Sequence, residues 1–328
     1  MKEANIRNCC LAAALFSLLL TSGSPAQQQT PLAAKPVGPT VELSLIVTDP
    51  AKKSVNSVRK EDIRVIDNKV EQTVLSVEAD ERLIDCGVAI DSSGSLRRLL
   101  PAALEAAKTI ILNKRPSEEY FIEAFADSAN VSNMQEFTSD TDVLLAALKS
   151  IYIQPGKPTA FLDGVYLGAE HVAKNSKTPA GRRKVLVLIS DGEDRSSYYE
   201  LDAVIKQLHT IGIQVFAIGL TEDLDKYGNL HELKASPREK AEKLLKTIAE
   251  ETGGRVFFPK TVGELREAVN QIVLDLRGQF RIKYQLDKAV TRESIRKVEV
   301  KFIENGEKRK AISPRAYYVN PKDIQKSP

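Results

Sequence analysis

Two stretches of the chain are apolar at nearly every position, and each ends at an aspartate. Residues 83–90 lead into Asp91, and residues 184–190 lead into Asp191. Continuous runs rich in Val, Leu and Ile, without the alternation of a half-exposed strand, indicate strands buried on both faces, as in a parallel sheet covered by helices. The two runs therefore predict central strands of one such sheet.

The chain between and after these runs alternates between helical and strand-like patterns. Ser236 to Glu239 has the pattern of a capping box with Pro237 at the first helical position. Repeated alternation of strand and helix over about 190 residues predicts an α/β fold with an open, doubly wound, mostly parallel sheet. The predicted helices cover residues 98–113, 140–151, 161–174, 198–211, 236–252 and a last helix that begins at Thr261; further strands cover residues 120–125 and 213–219.

Shorter segments with strand-like patterns lie on both sides of this region. Those before it cover residues 41–48, a hairpin at 63–70 and residues 72–77; those after it cover 280–284, 298–302 and 316–319. Each flank by itself is too small to bury a core. We therefore expect the flanks, 40–82 and 277–320, to pair into one small β-sandwich-like domain into which the α/β domain, 83–276, is inserted. Residues 321–328 form a tail.

The residues that follow the first buried run carry the strongest chemical signal. Asp91, Ser93 and Ser95 present three hard oxygen ligands within five residues, which suits Mg²⁺ or a similar cation. In doubly wound sheets, ligands bind beyond the carboxyl ends of the strands, where Asp191 is also expected. A loop containing Gly156 places Thr159 just before a predicted helix, so its hydroxyl is expected near the same crevice.

The three motif pieces, Asp-x-Ser-x-Ser, a Thr before the middle helix, and Ser-Asp-Gly, resemble the von Willebrand factor type A domain, and more narrowly its bacterial relatives with signal peptides. The resemblance implies a metal-ion-dependent adhesion site. Ser93, Ser95 and Thr159 would contribute hydroxyls, and Asp91 and Asp191 would bind directly or through water.

In one respect the chain departs from the relatives it resembles. They often have a second Gly ahead of the Thr, where this chain has Lys157 and Pro158. Proline fixes its own φ and stiffens the loop, and the lysine adds a cation. Of the five residues that the resemblance implies as ligands, Thr159 is therefore the one whose position the sequence defines least.

The implied ligand set points to binding rather than catalysis. Neutral hydroxyls leave much of the charge of Mg²⁺, or of Mn²⁺ or Ca²⁺, uncompensated, and such a cation normally keeps exchangeable waters. An Asp or Glu carboxylate from a partner protein could replace one of them. The acidic residues on the following loops could favour metal capture or form a solvated rim; they are Glu193, Asp194, Glu222 and Asp223.

An enzymatic function has little support in the sequence. The three histidines, His171, His209 and His231, have no patterned relation to Ser93 or Ser95, and we expect surface or packing roles for them. The sequence contains neither a Gly-x-Ser-x-Gly nucleophile elbow nor a phosphate-binding glycine motif. We therefore expect no catalytic residues and no nucleotide.

The first 26 residues have the pattern of a signal peptide, with a weakly basic start, an apolar core too short for a transmembrane span and a small-residue cleavage site. Residues 27–39 are expected to be a disordered linker. After cleavage, Cys86 is the one remaining cysteine, and 45 basic and 43 acidic residues leave a net charge of +2. This balance favours neither nucleic acid nor membrane attraction, and the run 308–310 is interpreted as solvated charge beside a turn.

Two function classes remain. The favoured one is an exported protein, periplasmic or secreted, whose metal site binds an acidic side chain of a partner. The other is a structural envelope protein in which the metal only stabilises the fold.

Overall fold

Two β-sheets organise the computed structural model, which describes residues 38–55, 57–154, 156, 158–175, 181–227, 236–303 and 308–321. The first sheet has six strands in the order β6-β5-β4-β7-β8-β9. All neighbours are parallel except β6, which runs antiparallel to β5 at the edge. The strands are β4 (Ile84–Asp91), β5 (Glu119–Phe125), β6 (Val131–Thr138), β7 (Arg183–Ser190), β8 (Ile213–Gly219) and β9 (Val256–Phe257).

Helices cover both faces of this sheet. The helices α1, α2 and α6 enclose one apolar core with it, and α3, α4 and α5 enclose another on the opposite face. The doubly wound α/β fold predicted from the sequence is thereby confirmed. The helices are α1 (Leu100–Leu112), α2 (Thr141–Lys149), α3 (Phe161–Asn175), α4 (Leu201–Ile211), α5 (Pro237–Glu251) and α6 (Val262–Arg277).

The second sheet is antiparallel and is built from both flanks of the chain. Its strand order is β12-β1-β10-β3-β2-β11-β13, so β10 from the second flank lies between β1 and β3 from the first. The sheet curls until β12 lies against β11, and a third apolar core fills its concave side. The strands are β1 (Thr40–Thr48), β2 (Ile63–Asp67), β3 (Val70–Ala79), β10 (Phe280–Gln285), β11 (Ser294–Phe302), β12 (Lys310–Ile312) and β13 (Ala316–Val319).

A buried aspartate ties strands of the two flanks together. The Tyr284 and Tyr317 hydroxyls donate to Asp67 Oδ2 over 2.9 and 2.6 Å, and Arg296 Nη2 lies 2.6 Å from Asp67 Oδ1. The flanks therefore depend on each other for polar contacts as well as for backbone pairing.

Some boundaries and some strands differ from the sequence predictions. The helix predicted from residue 198 begins at Leu201, because the Asp163 carboxylate accepts hydrogen bonds from the Tyr198 and Tyr199 backbone amides. The capping box at Ser236 is formed as predicted. The strands β6, β9 and β12 were not predicted from the sequence; they are short or polar and lie at sheet edges.

The predicted signal peptide and nearly all of the predicted linker lie outside the described residues. Within the part of the chain that the structure describes, no helix combines the length and the apolar character that crossing a membrane requires.

Candidate metal centre

The candidate site lies where the carboxyl ends of β4 and β7 meet. These strands are parallel neighbours, with Ile90 paired with Ile189. The chain leaves β4 toward β5 on one side and later returns to β7 on the other, so the loops beyond the two strands diverge and leave a crevice. This topology brings Asp91 and Asp191 together although they are 100 positions apart in the sequence.

Asp91 is fully buried and its carboxylate is fixed from two sides. Its Oδ1 accepts the Ser93 backbone amide at 2.9 Å, and its Oδ2 accepts the Ser190 hydroxyl at 2.7 Å. The Ser190 hydroxyl also accepts the Gly192 amide at 2.9 Å. Ser190 is thus a positioning residue, which was not predicted from the sequence; its place just before Asp191 is the signal that points to it.

Two serine hydroxyls lie close together at this site. The Oγ atoms of Ser93 and Ser95 lie 3.0 Å apart, and Ser95 is also in hydrogen-bonding contact with Asp191. Asp191 Oδ1 accepts the Glu193 amide at 3.0 Å. Four of the five residues predicted as metal ligands are therefore linked by short polar contacts.

Burial and mutual repulsion raise the pKa of both carboxylates of the pair. Burial and the neighbouring Asp191 carboxylate raise the pKa of Asp91 to about 7, against hydrogen bonds from Ser93 and Ser190 that lower it. Burial also raises the pKa of Asp191. Two buried carboxylates resist ionising side by side, and a bound cation would remove that resistance.

Thr159 lies on a loop that joins the other parts of the site through backbone contacts. Its carbonyl accepts the amides of Arg195 and Ser196 at 2.8 and 3.2 Å, and the Thr159 side chain is buried. Earlier in the same loop, the Gln154 amide donates to the Ser92 carbonyl at 2.8 Å. The structure therefore brings the Thr159 loop against the loops that carry Ser93 and Asp191.

The backbone of that loop is held by Pro158 as well, since its carbonyl accepts the Ser196 hydroxyl at 3.0 Å. Lys157, predicted to add a cation here, lies outside the described residues.

The turn after β7 requires its glycine. Gly192 has a φ of +73°, and a Cβ placed there would lie 2.6 Å from Leu245 Cδ1. Both the backbone conformation and the close packing of α5 therefore exclude a larger residue.

Most of the acidic residues predicted to surround the site are engaged within the protein. Asp194 Oδ1 accepts the Leu162 amide at 3.3 Å at the start of α3 and also accepts the Ser197 hydroxyl. Glu193 lies 2.5 Å from Arg195 Nη2. Glu222 lies 2.6 Å from Arg238 Nη2, and Asp223 lines the cleft described next.

A cleft of mixed charge adjoins the donor atoms. Its volume is about 260 Å³, and Ser95 and Asp191 form part of its wall. Arg97, Arg98 and Arg195 line the same cleft together with the carboxylates of Glu193 and Asp223. The charges of this lining balance, so its guanidinium groups offer hydrogen-bond donors for a carboxylate rather than a net positive field.

The donor chemistry fits a hard cation. The predicted ligands offer only oxygen atoms, two carboxylates and three hydroxyls, which suits Mg²⁺, Mn²⁺ or Ca²⁺. Among the described residues no cluster of three or more His, Cys, Asp and Glu side chains could hold a metal. A cation at this site would therefore depend on the hydroxyls of Ser93, Ser95 and Thr159.

The histidines and the cysteine lie away from these donors. His171 packs against Phe121 and Phe137, and His209 Nε2 lies 3.0 Å from the Glu251 carbonyl. His231 lies outside the described residues. Cys86 is buried in β4, which raises the pKa of its thiol and leaves it unreactive.

Comparisons with known proteins agree with this fold. The model of the von Willebrand factor type A domain matches residues 85–271, more than half of the 328 residues. A curated relative, ATP-dependent DNA helicase II subunit 2 of Neurospora crassa, is 26% identical over 152 residues, which are 46% of this chain and 20% of that protein. The chain thus spans about a fifth of that relative's length.

Several solved structures are similar to part of the chain, and three of them are bacterial. An aerotolerance-related membrane protein from Bacteroides fragilis is 24% identical with a TM-score of 0.43, and the match covers 58% of this chain and 98% of that one. BatB from Bacteroides thetaiotaomicron is 17% identical with a TM-score of 0.44, covering 59% and 98%. The pilus adhesin SpaC from Lactobacillus rhamnosus GG is 11% identical with a TM-score of 0.45, covering 78% and 47%.

Proposed function

The chain belongs to the von Willebrand factor type A family, whose domains commonly mediate protein interactions, and we propose that it is an exported, metal-dependent protein-binding module. The observation that supports the proposal is the convergence of two buried carboxylates, Asp91 and Asp191, with the hydroxyls of Ser93 and Ser95 at the end of the sheet.

In the proposed mechanism each residue of the chain has a defined task. Ser190 and the Ser93 amide orient the Asp91 carboxylate, and the turn at Gly192 directs Asp191 toward Ser95. These residues, with Thr159, would hold Mg²⁺, Mn²⁺ or Ca²⁺. Bound there, the cation would supply a positive centre with an exchangeable water position that an Asp or Glu side chain of a partner could take.

The neighbouring arginines would contribute to the same recognition. Arg97, Arg98 and Arg195 line the cleft that Ser95 and Asp191 share. The carboxylates of Asp191, Glu193 and Asp223 in the same lining balance their charge, so the arginines would act as hydrogen-bond donors to the carboxylate of a partner. The proposed mechanism uses no general base and no nucleophile, so we propose that the protein is not an enzyme.

Metal binding is the first property to measure. Calorimetry with Mg²⁺ and Mn²⁺ should detect one site in the wild-type protein and none in Asp91→Ala, because that change removes the central carboxylate. Asp202→Ala, an exposed change in the first turn of α4, is the matched control and should retain the wild-type affinity. Circular dichroism should show the same fold in all three proteins; undiminished affinity in Asp91→Ala would contradict the assignment.

A second measurement separates adhesion from a purely structural metal. Partners would be captured from a cell-envelope extract in Mg²⁺ and in chelator, and Thr159→Ala should weaken capture more than metal retention because it removes no carboxylate. Among single Asp→Asn and Glu→Gln changes on an identified partner, one should abolish binding. If chelator lowers the melting temperature but leaves the complex intact, the structural alternative replaces the adhesion proposal.

Export is tested separately. When the full chain is produced in a bacterial host, the protein recovered from the periplasm or medium should begin at Gln27 by N-terminal sequencing. Retention of the intact leader in the cytoplasmic fraction would contradict this part of the proposal.

A further inference from the structure

A second cleft lies between the two sheets, beyond the amino ends of the parallel strands. Its volume is about 400 Å³. Arg183 stands at the first position of β7 and lines this cleft, whereas Ser190, at the last position, borders the candidate metal centre. Eight extended residues separate the two sites by roughly 25 Å, so the cleft is distinct from that centre.

Positive charge dominates the walls of this cleft. Four permanent cations line it, Arg82, Arg182, Arg183 and Lys184, whereas Glu42 is the one carboxylate among its lining residues. Glu42 itself lies 3.7 Å from Arg281 and 3.6 Å from Lys283.

The carboxylates behind the wall compensate only part of this charge. Asp80 lies 2.6 Å from Arg82 Nη2 and 3.7 Å from Arg183 Nε, and Asp85 lies 2.6 Å from Arg182 Nε. Two carboxylates are therefore shared by three guanidinium groups, and Lys184 Nζ donates to the Ile211 carbonyl at 3.5 Å. About two positive charges remain for a ligand or solvent to balance.

Arg183 has hydrogen-bonding capacity that the protein does not fill. Its side chain is 5% exposed, and its Nη2 donates to the Leu276 carbonyl. Its Nε and Nη1 are buried without a hydrogen-bond acceptor among the described residues. These two nitrogens have almost no accessible surface, so Arg183 contributes its charge to the cleft rather than a direct hydrogen bond to a ligand.

We propose that this interdomain cleft binds the phosphate group of a small molecule. Guanidinium groups match the geometry of phosphate oxygens, and an excess of about two positive charges balances a phosphate dianion better than a single carboxylate. A volume of about 400 Å³ is within the range of small-molecule sites and exceeds what one phosphate needs, so the ion could arrive free or attached to an organic group.

Calorimetry in metal-free buffer tests the proposal, with inorganic phosphate and glycerol 3-phosphate as probes and sodium chloride at equal ionic strength as the reference. Saturable binding of either probe is expected. Tighter binding of glycerol 3-phosphate would assign the site to an organic phosphate, and equal binding would assign it to the free ion. Absence of saturable binding of both probes at 10 mM would overturn the proposal.

Matched variants locate the binding. Thr210 is exposed at the edge of the cleft on α4, and its hydroxyl donates to the Lys206 carbonyl at 2.8 Å; Thr247 on α5 makes the same bond to Lys243 at 2.8 Å but does not line the cleft. Thr210→Glu should weaken phosphate binding at least tenfold, whereas Thr247→Glu should leave it unchanged. Equal affinities in the two variants would contradict the location.

Two further variants complete the design. Lys184→Gln removes a cation without exposing a buried partner and should weaken binding about tenfold. Asp91→Ala should bind phosphate like the wild type, so a failure of the metal-site proposal and a failure of this one are distinguishable. An unchanged affinity in Lys184→Gln would count against the proposal.

Discussion

Glu123 allows a quantitative test of the electrostatics of the core. It lies on β5 facing α3, its side chain is buried, and its Oε1 has no hydrogen-bond partner among the described residues. A Cβ placed on Gly168 of α3 would lie 3.2 Å from that oxygen, which shows how closely the helix packs over it. Burial alone raises the pKa of Glu123 from 4.5 to about 8.

The sign of the effect on stability follows from proton binding. The folded protein keeps the Glu123 proton up to about pH 8, whereas the unfolded chain loses it near pH 4.5. The free energy of unfolding therefore falls as the pH rises between these values, by roughly 1 kcal/mol per pH unit, and the loss is complete above the folded pKa. The cumulative penalty at pH 8 is about 3 to 5 kcal/mol.

Glu123→Gln removes the titrating group at nearly constant volume. The free energy of unfolding of the metal-free protein would be measured by urea denaturation, followed by circular dichroism, from pH 5 to pH 8. The free energy of the variant minus that of the wild type should increase by roughly 1 kcal/mol per pH unit. Asp91 is present in both proteins, so the difference between them isolates Glu123. Glu119→Gln, at the partly exposed start of the same strand, is the control. Parallel pH profiles for the wild type and Glu123→Gln would refute the reasoning.

Three other changes test the packing. Asp67→Ala should lower the free energy of unfolding by about 3 to 5 kcal/mol, because it leaves Arg296 and two tyrosine hydroxyls without their acceptor; a loss below 1 kcal/mol in urea denaturation would contradict this. Ser236→Ala should cost about 1 kcal/mol in the same assay by removing the hydroxyl that accepts the Glu239 amide, and an unchanged midpoint would contradict it. A fragment of residues 40–82 should show no cooperative melt by circular dichroism, because β10 from the other flank separates β1 from β3 and leaves β2 and β3 as an isolated pair; a cooperative melt would contradict this.

The sequence alone determined the elements whose signals are local. The buried strands β4 and β7 were predictable because their apolar runs are continuous, and the capping box at Ser236 because its polar atoms bond within one turn. The three site motifs could also be found in the sequence, because each consists of a few neighbouring residues. Local signals do not extend to β6, a polar strand whose pairing with β5 depends on the edge it meets.

Only the tertiary structure decided which distant residues meet. The β4 and β7 strand ends are neighbours because the strand order reverses between them, and this lets the Ser190 hydroxyl reach Asp91. Asp194, which in the sequence could as well be a solvated rim residue, accepts a backbone amide at the start of α3. The interleaving of the flanks and the basic cleft between the sheets likewise arise from packing. Such contacts depend on how elements lie in space, and a one-dimensional pattern does not encode that directly.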